Sequence, residues 1–108
     1  MSGELAGLLR ERVTLERQMP GRDALGVARG AWVSLGQCWA AVVPAGEGAG
    51  FVGDAPAAPA RFHITIRVRK IFGVGDRVIW RARTLVVLNV TFDPTIPDRM
   101  TCLTEELR

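Results

Sequence analysis

The stretch Arg61–Lys70 reads RFHITIRVRK, and its reading decides the fold. Phe62, Ile64, Ile66 and Val68 alternate with Arg61, His63, Thr65, Arg67 and Arg69. A period of two puts the apolar side chains on one face of a strand and the polar ones on the other. Aromatic and β-branched residues fill the apolar face, as a half-buried pleated surface prefers. The ribbon therefore has one side for a core and one cationic side for something outside it.

Working outward, the same grammar recurs. Upstream, Glu11–Arg17 alternates with Val13 and Leu15 inward, which predicts a first strand. Pro20, Gly21, Gly26 and Gly30 punctuate a long turn, and Trp32–Val43 is the second strand, with Gly36 marking a bulge or bend. Pro44–Ala60 is rich in Gly, Ala and Pro, excludes a stable helix or central strand, and reads as a long loop. Downstream, Ile71–Gly75 turns the chain. Asp76–Arg83 is a fourth strand, with Val78 and either Trp80 or Ile79 inward. Thr84–Phe92 is a fifth, Asp93-Pro94 and Pro97-Asp98 frame a turn, and Arg99–Leu107 is the last strand. Met1–Leu9 is an N-terminal arm or short helix, with Ser2 as its cap. Short strands separated by turn signals predict an all-β fold, a small antiparallel barrel or sandwich of about six strands with its long loop between strands two and three.

The bulk numbers agree with this. A chain of 108 residues, 48% hydrophobic and 23% charged, suits one globular domain. The net charge of +3 permits contact with nucleic acid or an acidic partner without demanding either. Cys38 and Cys102 both sit in apolar runs; buried free thiols of a reducing compartment are the simplest reading, and a disulfide between them stays open because it depends on geometry. The N-terminus lacks the apolar core of a signal peptide, and no apolar run has the length of a membrane span, so the expectation is a soluble cytoplasmic product with no membrane contact.

Catalytic and cofactor chemistry find little support. Gly48–Gly53 spells G-x-G-x-x-G, but Pro56 and Pro59 block the helix that a dinucleotide site requires after it. The glycine cluster is a loop. His63, Cys38 and Cys102 are the only soft ligands and have no zinc spacing, so a strand-face histidine and two core thiols is the plainer reading. Asp93 and Asp98 read as turn caps. No nucleophile and base fall together, and the expectation is a protein without enzymatic activity, metal or cofactor. What remains is the basic set Arg61, Arg67, Arg69, Lys70, Arg77, Arg81 and Arg83, which would cluster if the third and fourth strands paired. Trp32, Trp39, Trp80 and Phe51 offer stacking surfaces for a single strand of nucleic acid, although the tryptophans lie in apolar runs and read as core. A small barrel binding single-stranded nucleic acid is thus the alternative function.

Taken together, LLRERVTLER (Leu8–Arg17), DALGVARGAWVSLGQCWAAVVP (Asp23–Pro44), RFHITIRVRK, GDRVIWRARTLVVLNVTFDP (Gly75–Pro94) and MTCLTEEL (Met100–Leu107) resemble the head–tail joining, or head-closure (stopper), proteins of tailed bacteriophages and gene transfer agents. The most specific parts are the arginine-hydrophobic start, the W-x-x-x-x-x-x-W-A-x-V block at Trp32–Val42 and H-I-T-I-R at His63–Arg67. The resemblance implies a β-barrel subunit of a homo-oligomeric ring, hexameric or dodecameric. That ring would lie in the neck of the particle, between portal or adaptor above and tail terminator or tail tube below, and double-stranded DNA would pass through it. It also implies assembly in the bacterial host cytoplasm. The loop between strands two and three would project into the channel and help retain DNA, which nominates Gly46, Glu47, Gly48, Gly50, Phe51, Gly53 and Asp54. Relatives often carry larger polar residues there. Arg61, Arg67, Arg69, Lys70, Arg81 and Arg83 would form a channel wall or a subunit contact.

Overall fold

In the computed structural model, the described residues are 8–20, 30–45, 51–52, 55–56 and 59–107, with 51–52 and 55–56 described by their backbone alone. Eight strands follow one another: β1 (Glu11–Gln18), β2 (Trp32–Pro44), β3 (Phe51–Val52), β4 (Ala55–Pro56), β5 (Arg61–Arg67), β6 (Arg77–Trp80), β7 (Arg83–Asp93) and β8 (Ile96–Glu106). Six of them close into an antiparallel barrel in the order β1-β2-β5-β8-β7-β6, while β3 and β4 form a separate two-stranded ribbon inside the long loop. Closure pairs every barrel strand with two neighbours over part of its length and so shortens the exposed sheet edges that otherwise invite aggregation.

The alternation in RFHITIRVRK is realised residue by residue. Phe62, Ile64 and Ile66 point inward, with Ile64 and Ile66 wholly buried, while Arg61, His63 and Arg67 are exposed. Val13 and Leu15 meet them from β1, Val78 from β6, Leu85 and Val87 from β7, and Met100 and Cys102 from β8. Each fully buried aliphatic side chain contributes about 1.5–3 kcal/mol relative to exposure. On β6, Val78 is fully buried and Trp80 packs against the core, edge-on to Phe62 at 5.3 Å.

Glycine acts at two places. Gly36 has φ +108°, and opposite it the β1–β2 register shifts between Leu15 and Glu16, so Gly36 sits at a bulge as its position suggested. At Gly30 the backbone of Met19 comes so close that an added Cβ would fall on the Met19 carbonyl oxygen. A side chain there would prise open the base of the β1–β2 connection, where the Met19 N–H donates to the Ala31 carbonyl.

Several expectations are corrected. The strand at 76–83 is two elements: Arg81 and Ala82 form a two-residue turn, and Arg83 begins β7. Both turn residues have positive φ, 49° and 64°, the geometry whose twist matches a hairpin. It costs an L-residue about 1–2 kcal/mol per position, which is why Asn-Gly is the usual signal and Arg-Ala was not legible. The strand at 61–70 ends at Arg67, and the last strand begins at Ile96 rather than Arg99, with Pro97 inside it. Nor do the third and fourth predicted strands pair: β5 lies between β2 and β8, and β6 between β1 and β7. Of the N-terminal arm, Met1–Gly7 lies outside the described residues, and Leu9 is buried.

Candidate functional site at the two ends of the barrel

The registers give the barrel two chemically different ends. At the first, the long loop leaves and re-enters the barrel. The Ala45 N–H donates to the Arg61 carbonyl at 2.9 Å, and the Glu106 N–H to the Ala60 carbonyl at 2.8 Å, so both stems of the loop are extensions of the sheet. Of the loop residues proposed for the channel, Gly46, Glu47, Gly48, Gly50, Gly53 and Asp54 lie outside the described residues; Phe51 falls in the β3–β4 ribbon.

Arg61, Arg81 and Arg83 are at this same end, and each faces a carboxylate. Arg61 Nε lies 3.1 Å from Glu105, Arg81 Nη2 2.9 Å from Glu11, and Arg83 Nε 3.7 Å from Glu106. Arg81 and Arg83 also stack on Trp80, with their guanidinium carbons 5.2 and 5.4 Å from its ring centroid. Trp80 is thereby covered, and its indole N–H donates to Glu11 at 2.8 Å. A rim of alternating Arg and Glu around the loop's root is neutralised locally, and such exposed pairs add little stability each.

The opposite end carries Arg67, Arg69 and Lys70, the turn 70–75, and the β7–β8 hairpin turn at Pro94–Thr95. The single basic face therefore divides between two ends, because β5 and β6 are not neighbours. Phe72 closes this end of the core at 4% exposure. Its turn is held by Asp76, a buried carboxylate that accepts from Arg17 Nε at 3.0 Å, Arg17 Nη2 at 2.8 Å and the Gly73 N–H at 2.9 Å. Here Arg77 bonds Glu16 at 2.6 Å and stacks on Trp32 at 4.0 Å.

Among the described side chains, the tryptophans do not form one stacking surface: Trp80 lies at the loop end, Trp32 at the opposite end and Trp39 on the wall between them. All three tryptophans carry a stacked arginine, and Trp39, expected in the core, is 52% exposed on the barrel wall. The signal for this was present: Cys38 and Ala40 face inward, so Trp39 between them must face out. The thiols are free. Burial pushes the Cys102 thiol up to about 12 and raises that of Cys38, where the neighbouring Arg69 partly opposes the shift. Among the described residues no three His, Cys, Asp or Glu side chains converge as a metal site, and no helix is long and apolar enough to cross a membrane.

The comparisons agree with this architecture. The chain matches the family model of the phage head completion protein over residues 5–107. It is similar to a chain in the virion of a native gene transfer agent particle, with 22% identity over 92% of this chain and 96% of that one, and a TM-score of 0.73. It is also similar to protein SF1141 from Shigella flexneri 2a, known from its solution structure, with 24% identity over 93% and 94% of the two chains and a TM-score of 0.66. At these identities the two structures speak for the fold. No curated protein matches the chain. The family match spans the whole barrel, and the chain belongs to the phage head completion protein family.

Proposed function

From that membership we propose that the chain is a head-closure subunit of a phage-like particle. Copies assemble into a ring in the neck, between the portal or its adaptor and the tail, and packaged DNA passes through the ring. The observation that carries this reading is the family match over residues 5–107, which takes in every strand of the barrel. A heterologous interface repeated around an axis closes into such a ring when its rotation closes. The likeness in fold to a chain of a gene transfer agent virion supports placing the protein in a particle.

The barrel suits a structural role. It is a closed barrel whose loop between β2 and β5 leaves from a hydrogen-bonded root. We assign the loop between β2 and β5 to the channel, where it helps retain DNA. The arginines at its root are matched to Glu11, Glu105 and Glu106, so they order the rim more than they attract phosphate. Among the described residues at the other end, Arg67, Arg69 and Lys70 have no carboxylate partner and are basic groups for contact with the next component or with DNA.

Electron cryo-microscopy of purified particles tests the reading: density matching this barrel is expected as a closed ring in the neck. Barrel density found only in the capsid shell, or none in the particle, would overturn it.

A further inference from the structure

The barrel is closed unevenly. β2 pairs with β1 from Trp32 to Ala40, but with β5 only over Ala41–Pro44 against Phe62–Thr65. Below Ala41 and Thr65 the two strands splay. Among the described residues, Trp32–Ala40 then have strand partners on the β1 side alone, Leu35 at the bulge excepted, and Ile66 and Arg67 on the β8 side alone. The opening is a pocket of about 280 Å³ lined by Leu9, Cys38, Trp39, Arg67 and Arg69.

Two observations say what this seam takes. The first is a side chain already bonded to the β2 backbone at the seam: Leu35, the residue skipped at the β1–β2 bulge, has a carbonyl that accepts from Arg69 Nη2 at 2.9 Å. The second is charge. Arg17, Arg61, Arg77, Arg81, Arg83 and Arg99 each have a carboxylate within ion-pair distance. Among the described residues, Arg12, Arg67, Arg69 and Lys70 have none, and three of these four are at the seam: Arg12 stacks on Trp39 at 5.1 Å, and Arg67 and Arg69 line the pocket. Most of this unneutralised charge therefore surrounds an apolar slot beside an unpaired strand edge.

We propose that this seam is a docking site for an extended acidic segment of a partner protein. The segment adds to the free edge of β2, sets an apolar side chain against Leu9 and Trp39, and places carboxylates on Arg67 and Arg12. Strand addition supplies backbone hydrogen bonds, and the alternate side chains supply selectivity. Arg69 exchanges the Leu35 carbonyl for a carboxylate, a stronger charge-assisted bond. Nucleic acid fits less well, because a phosphate entering the slot would lie against Leu9 and Cys38 with no strand edge used. The inference does not rest on the ring or on the channel.

The test is an amide NMR titration of the full chain with three probes: a short peptide alternating valine and glutamate, its lysine counterpart, and a short DNA duplex. The glutamate peptide is expected to shift Trp39, Arg67 and the β2 amides between them and Leu35, and to weaken with salt. Arg67→Glu should lower its affinity about tenfold or more, the equivalent of one lost charge-assisted bond. Arg67→Ala and Trp39→Ala, which only truncate exposed side chains, should weaken it in the same direction. Equal binding of the lysine peptide, tighter binding of the duplex at these residues, or no shift at the seam would overturn the proposal.

Discussion

Arg17 and Asp76 form an ion pair whose two members are unequally buried, and mutation should expose the asymmetry. The Asp76 side chain is 7% exposed and the Arg17 side chain 41%. Arg17→Met leaves a carboxylate in the barrel end with the Gly73 N–H as its remaining partner. A stranded buried charge costs about 3–5 kcal/mol. Asp76→Ala instead releases an arginine that is already partly in water, so the loss is closer to that of charged hydrogen bonds, about 1.5–3 kcal/mol. The double variant should be more stable than Arg17→Met alone, because it removes the charge that has lost its partner. Thermal denaturation of the three variants gives the ordering, since each kcal/mol moves the melting midpoint by about 4–8 °C in a domain near this size. Arg17→Met at wild-type stability, or a double variant as unstable as the sum of the two singles, would refute the argument. The consequence is more than local, since the same carboxylate holds the turn that seats Phe72 in the core.

Three further outcomes are expected. Ala82→Gly should stabilise the protein by about 0.5–1 kcal/mol in thermal melts, because the relief of φ +64° exceeds the added chain entropy; a lower melting point would contradict the turn assignment. The Cys102 thiol, raised from its ordinary 9.0 to about 12, stays protonated in the fold above the pH at which it ionises in the unfolded chain. Stability should therefore fall as pH rises from about 9 towards 12, and Cys102→Val should flatten that part of a stability–pH curve. Replacing residues 46–58 by a short glycine linker should leave the barrel's melting midpoint nearly unchanged while particles lose DNA; loss of folding would make the loop structural instead.

The strands at 11–17 and 61–67 were legible because one face is buried and the other is not, which writes a period of two into the residues. The bulge was legible from Gly36 for a similar reason: a glycine inside a strand has few other uses. The Arg81-Ala82 turn left no mark, since its positive φ values fall on residues that do not advertise them. Strand order was hidden as well. Which ribbon lies beside β5 depends on closure of the whole sheet, so the basic residues could be listed but not grouped. The exposure of Trp39 was implicit in its neighbours, yet the seam beside it arises where two strands part, and no local pattern encodes that separation.

The central claim is that this chain closes the head of a phage-like particle. Deletion of its gene, followed by electron microscopy and measurement of packaged DNA, tests that most directly. Heads that lose their DNA or fail to acquire tails are predicted, with both defects repaired by the wild-type gene supplied in trans. Tailed, DNA-filled, infectious particles from the deletion strain would contradict the account.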